Sequence, residues 1–159
     1  MSEPLPLAEF QRLNEPAVRL RSYSFFVAGQ PMTQGSKRAF VVKGHAVITE
    51  QGGDRWRLWR HAVSDGARLA RGDQPMLDGP VAVNLAFWLP KPASAPKRKR
   101  TWPIGARSGD LDKLARSCCD SMSGVLYDDD AAIVRLYVCK DWAAGTGPGV
   151  AVYAREVRE

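Results

Sequence analysis

GDLDKLARSCCDSMSGVLYDDDAAIVRLYVCK (109–140) reads as a helix, a turn and a strand in direct succession. Leu111, Leu114, Ala115, Cys118 and Met122 recur at three- and four-residue steps, the period of a helix with one apolar face. Asp110, after Gly109, is the natural N-cap, and Asp112 falls in the first turn. Gly124 supplies the stop. IVRLYVCKDW (133–142) then has the composition of a strand. Upstream, PVAVNLAFWLP (80–90) alternates as another strand, so the helix lies on the connection between two strands.

Working outward, the other segments give more strands than helices. YSFFVAG (23–29) is an apolar strand ended by Gly29, and QPMTQGSKR (30–38) is a polar loop. AFVVKGHAVITE (39–50) reads as two short strands around a Lys43-Gly44 turn. In GDRWRLWRHAVSDGARLARG (53–72), Trp56, Trp59, Val63, Ala67 and Ala70 form a helical stripe, with Asp54 as N-cap and Gly72 as the stop. KPASAPKRKRTWPIGARSG (91–109) is a loop with three prolines and six cations, and GVAVYAREV (149–157) is a last strand. Strands joined both as meanders and around a crossover predict an α+β fold, a small mixed sheet packed with two main helices. Residues 1–21 are expected to be an N-terminal extension with a short helix from Leu7 to Leu13, and 22–159 a single domain.

The 159 residues carry a net charge of +6, unevenly spread. Residues 107–130 hold three cations against six aspartates, a balance of −3, which leaves +9 for the rest. The acids are interleaved with Leu111, Leu114, Val125, Leu126 and Ile133, so the acidic segment is folded rather than a solvated tail. A basic chain around an acidic knot points to a polyanionic partner, with solubility alone as the bland reading. The N-terminus lacks the basic start and apolar core of a signal peptide, and no run approaches a membrane span, so a cytoplasmic protein is expected. Cys118, Cys119 and Cys139 have neither disulfide nor zinc spacing and are expected to be reduced core thiols.

Capping explains Asp110 and, less fully, Asp112, but not Asp128-Asp129-Asp130 in the turn before the next strand. Three consecutive carboxylates either point separately into water or are held by a cation. A helix followed by a reversing turn predicts that the second acidic cluster returns beside the first. Short oxygen ligands without His or Cys suit a hard cation, Mg²⁺ with Mn²⁺ as the alternative. An EF-hand is excluded, because Ala115 and Ser121 stand where that loop needs its glycine and its bidentate glutamate. His61, on the Trp-rich helix, reads as a packing or surface residue, and no nucleophile elbow is present for Ser/His/Asp chemistry.

These residues resemble the signature of the RusA-type Holliday-junction resolvases, common in phages and prophages. Asp110, Asp112, Lys113, Arg116, Asp120, Gly124, Asp129, Asp130 and Lys140 fall on the family pattern in order. GQPMTQGSKRAF (29–40) resembles its N-terminal loop, and FWLPKPASAPKRKR (87–100) its basic loop. The resemblance implies a Mg²⁺-dependent endonuclease that cuts branched DNA as a homodimer. It makes Asp110, Asp112 and Asp130 the metal-binding catalytic acids, with Arg116 beside them where well-known members have lysine. Gln34 replaces a frequent basic residue. Cations in polar loops, Lys37, Arg38, Lys97, Arg98, Lys99 and Arg100, are expected to meet phosphates, together with Lys113 and Lys140. Two alternatives stay open: a nuclease for flaps or other branches, and a DNA-binding accessory protein without catalysis. The apolar strands VAVNLAFWL and IVRLYVC offer a face or edge that a second subunit could cover.

Overall fold

The computed structural model describes residues 20–35, 37–43, 45–50 and 53–158, with the side chains of 37–42 and 46–50 outside that description. The Leu7–Leu13 helix expectation lies outside the described residues. Strands β1 (Ser22–Ala28), β4 (Val81–Leu89), β5 (Ile133–Trp142) and β6 (Gly149–Glu156) form one four-stranded sheet in the order β1-β6-β4-β5. β6 runs antiparallel to both β1 and β4, while β4 and β5 are parallel. Strands β2 (Lys37–Val42) and β3 (His45–Glu50) make a separate hairpin. Helices α1 (Gly53–Arg71) and α2 (Leu111–Met122) complete the α+β architecture.

The two helices pack side by side on one face of the sheet, α1 over β1 and α2 toward β5. Alternation decides which strand residues meet them. Val83, Leu85, Phe87 and Leu89 of β4, with Val150, Val152 and Ala154 of β6, are buried on that face. Val63 and Ala67 of α1 and Leu114, Cys118 and Met122 of α2 close the core from above. The helical stripes read from the sequence are the buried ones: Trp56, Trp59, Val63 and Ala67 in α1. Gly66 permits the close contact of α1 with β1, since a Cβ there would lie 3.1 Å from both Phe25 and Val27 side-chain atoms.

Three local expectations are corrected. Lys37 and Arg38 are not in a loop: β2 begins at Lys37, and these two residues pair with Glu50 and Thr49. Asp54 is not the cap of α1 but lies inside its first turn, where its carboxylate accepts from Arg57 at 3.3 Å. Cys118 and Cys119 are buried free thiols, whereas Cys139 is exposed. The alternation explains the last point, because Cys139 sits beside Ala86 of β4, on the sheet face away from the helices.

Glu156 ties the end of β6 to the start of β1. The Arg21 amide and Nε donate to its carboxylate at 3.1 and 2.6 Å, and the Asp78 amide donates at 3.0 Å. Burial pushes this carboxyl up, but the bonds from Asp78 and Arg21 and the Arg21 charge outweigh it and hold it below its ordinary 4.5. A lowered folded value means that the stabilisation is fully present above the unfolded value and is lost as pH falls through the folded one. Glu156→Gln should therefore lower stability at neutral pH by about 1–3 kcal/mol and flatten its decline in acid. Urea midpoints measured from neutral to acid pH check both effects.

Candidate active site

The connection between parallel β4 and β5 carries most of the acidic residues, and its two ends are fixed by different devices. At its start, a 3₁₀ turn (Ala106–Ser108) leads to Gly109 and Asp110. Gly109 has φ +76°, and a Cβ there would lie 2.6 Å from Thr33 Cγ2. Lys140, near the end of β5, donates to the Gly109 carbonyl at 2.6 Å and to Ser108 Oγ at 3.2 Å. The Gln34 amide donates to the Lys113 carbonyl at 3.1 Å. The first turn of α2 is thus held from β5 and from the loop after β1.

Asp110 occupies the N-cap position with extended backbone, but its side chain makes no capping bond. Its carboxylate pairs with Lys113 Nζ at 2.7 Å instead. The Lys113 hydrogen bond and charge, with a smaller contribution from Lys140, hold Asp110 below the usual carboxylate range against a minor effect of desolvation. Asp112, Ala115, Arg116 and Cys119 follow at helical spacing along one side of α2, and all four line an open cleft of about 740 Å³. Ile133, Leu136 and Val138 of β5 form its apolar wall, and Asp130 stands on its rim.

At the other end, the turn after α2 is locked by a buried side chain. The Tyr127 hydroxyl donates to the Cys119 carbonyl at 2.9 Å. The Gly124 amide donates to the Tyr127 and Asp128 carbonyls, with Gly124 at φ +73°. The Asp129 carboxylate accepts from the Ala131 amide at 2.8 Å and so caps the 3₁₀ turn Asp130–Ala132. That gives Asp129 a local structural task. Asp130 is pushed above the usual carboxylate range, first by hydrogen bonding with the neighbouring Asp120 carboxyl, then by partial burial and by the charges of Asp120 and Asp129. Burial, with the nearby aspartate charges, pushes the Cys119 thiol up to about 12, which removes it as a thiolate ligand or nucleophile at neutral pH.

Of the second acidic cluster, the reversing turn brings Asp130 to the cleft that holds Asp112 and Arg116. Asp112 and Asp130 line this cleft, whereas Asp110 and Asp120 do not, and no three acids stand close enough to hold an ion together among the described residues. Asp112 is in the first turn of α2, while Asp120, the neighbour of Asp130, is in the last. Two carboxylates at each end suit a hard cation, because Mg²⁺ is commonly held by one or two carboxylates, with waters and substrate phosphates completing its shell. Asp110 can join Asp112 by leaving an exposed, solvent-screened pair.

Among the expected phosphate contacts, Lys97, Arg98 and Lys99 are exposed in the loop before α2. Arg100 is engaged by Asp141 and lies over the Trp102 ring at 4.1 Å. Lys113 and Lys140 are tied to Asp110 and Gly109. The side chains of Lys37 and Arg38 lie outside the described part. Asp120, outside the expected ligand set, meets Asp130 from the last turn of α2. Its signal was present in the sequence, since it stands four residues after Arg116 and eight after Asp112, on the same side of a helix.

A family model described as Endodeoxyribonuclease RusA matches residues 28–154. The uncharacterized protein YqaN of Bacillus subtilis (strain 168) is 24% identical over 140 residues, covering 84% of this chain and 95% of that protein.

The clamp on Gly109 is testable without any substrate. Gly109→Ala should destabilise the protein by about 1–3 kcal/mol, because φ +76° with ψ 155° is a backbone region that essentially only glycine adopts, with the Thr33 clash adding to that. The urea midpoint should fall with an unchanged slope.

Proposed function

The chain belongs to the RusA endodeoxyribonuclease family, and from that premise we propose that it is a divalent-metal-dependent enzyme that resolves four-way DNA junctions by paired phosphodiester hydrolysis. The observation that supports this most directly is the cleft shared by Asp112, Arg116 and Asp130. Asp110, Asp112 and Asp130 are the proposed ligands of Mg²⁺, with Mn²⁺ as the alternative. When bound, such an ion lowers the pKa of a coordinated water and offsets charge on the phosphoryl oxygens. Arg116 stays protonated, so its part is to neutralise developing negative charge rather than to deliver a proton.

The basic residues give the substrate its place. Lys97, Arg98, Lys99 and Arg100 contact backbone phosphates ahead of α2, and Lys37 and Arg38 do so from β2. On binding, a phosphate replaces Asp110 as the partner of Lys113, which frees Asp110 to face the ion. Lys140 keeps its bond to the Gly109 carbonyl and orients the Asp110–Asp112 turn from behind. The catalytic domain runs from about residue 22 to the C-terminus, and the proposed setting is the cytoplasm. No described helix is long and apolar enough to cross a membrane.

A homodimer fits this reading, because two opposed nicks on a two-fold junction call for two sites related by one axis. β5 is an edge strand that exposes Val134 and Tyr137, away from the cleft wall, at 58% and 66%. An exposed apolar edge of this kind is a surface that a second subunit would cover. Sedimentation equilibrium should give a dimer at micromolar concentration, and a strict monomer, free and DNA-bound, would remove paired nicking.

The chemistry is tested on synthetic four-way, flap and linear DNAs. Cleavage of the four-way substrate should require Mg²⁺. Asp112→Asn should lower it by on the order of 10²–10³-fold, the scale for losing one preorganised charge-stabilising group, while DNA binding is undiminished. Full activity in excess EDTA or in the Asn variant would overturn the metal role. Preferential cutting of flaps would reassign the substrate, and binding without cutting of any substrate would leave an accessory protein.

A further inference from the structure

The loop that carries the phosphate-contacting cations also carries two large apolar residues that no core accounts for. In TWPIG (101–105), Pro103 is fully buried, while its neighbours Trp102 and Ile104 are 56% and 87% exposed. This is a built arrangement rather than slack chain. Trp142 Nε1 donates to Thr101 Oγ1 at 3.0 Å. Ser108 Oγ reaches the carbonyls of Pro103 and Gly105 at 2.6 and 2.7 Å, and the Ile104 amide donates to the Trp102 carbonyl at 2.9 Å. Arg100, fixed by Asp141, lies over the Trp102 ring. Trp56 and Trp59 are buried, so Trp102 differs from the tryptophans that serve the core.

We propose that Trp102 and Ile104 form a wedge that takes an unstacked base at the branch point of the DNA. The proposal rests on the nuclease reading above and adds a determinant of branch selectivity to it. Every base has a π-face that an indole can stack on, and apolar side chains such as Ile enter opened base steps. Linear duplex keeps its bases stacked, whereas a branch point interrupts the stack and makes a base available at lower cost. Charge favours this occupant over a second copy of the chain. Residues 91–109 hold six cations and no acid, so two such loops would repel, while a DNA strand would be attracted. Position favours it too. Ser108 links the wedge loop to Lys140 and hence to Gly109, directly ahead of Asp110. A base held there lies on the polypeptide that presents the acids to the adjoining phosphodiester.

The test uses the full chain in EDTA with a four-way junction and a linear duplex of equal length, each with 2-aminopurine at the central position. Wild type should bind the junction preferentially and change the emission of its 2-aminopurine. Trp102→Ala should weaken junction binding by about tenfold, with duplex binding changed less than about twofold, and should abolish the emission change. Trp102→Phe should restore most of both, and Ile104→Ala should give an intermediate loss. Because both side chains are exposed, thermal melting of the variants should match wild type. Retention of junction preference and of the emission change in Trp102→Ala overturns the wedge. So does a variant whose only change is loss of self-association in sedimentation, since Trp102 would then be a subunit contact. Mg²⁺-dependent cleavage by wild type is scored separately. A wild type that cuts junctions while the wedge variants behave normally sinks this inference alone. A wild type that neither prefers nor cuts branched DNA sinks both.

Discussion

The parallel pairing of β4 with β5 is the constraint from which the rest follows. Parallel neighbours cannot be joined by a tight turn, because the chain must travel back along the sheet before it can enter the second strand in the same direction. Here the return path is residues 90–132, and it contains the basic loop, the wedge residues, α2 and the triple-aspartate turn. Lys140 then closes the circuit from β5 to the carbonyl of Gly109. Nearly every residue proposed to touch DNA or metal is therefore on one connection or on the strand that receives it. A change in β4–β5 register would move the two acidic clusters relative to each other.

α2 has to satisfy two surfaces at once. Leu114, Cys118 and Met122 face the core, and Asp112 and Arg116 face the cleft. The buried set supplies the packing energy, since stripping Leu114 to Ala would cost about 2–5 kcal/mol by loss of apolar contact and creation of a cavity. That rigidity fixes the helix positions from which Asp112 and Arg116 face the cleft. The Tyr127 hydroxyl performs the matching task at the C-terminal end, where its bond to the Cys119 carbonyl fixes the turn that returns Asp130 to the cleft.

The electrostatics of the two ends differ in a way that bears on cation binding. Asp110 is already compensated by Lys113, whereas Asp130 is crowded by Asp120 and Asp129. A group in the first situation gives up a partner to bind an ion, and one in the second gains relief from like-charge repulsion. As proposed ligands, Asp110 and Asp130 are therefore not equivalent. The fold makes them unequal by surrounding them differently.

Much was legible in the sequence because it depends on period and local chemistry. The apolar steps of Leu111, Leu114, Cys118 and Met122 specify α2, alternation specifies β4, and Gly72 and Gly124 mark stops at positive φ. The family pattern in 109–140 survives for the same reason, since its spacing is that of a helix, a turn and a strand. Partners distant in sequence could not be read this way. Nothing local tells Lys140 that it will meet the Gly109 carbonyl, or Arg100 that Asp141 of β5 will engage it. Those outcomes depend on which surfaces the parallel crossover brings into contact, and only the packed sheet and helices decide that.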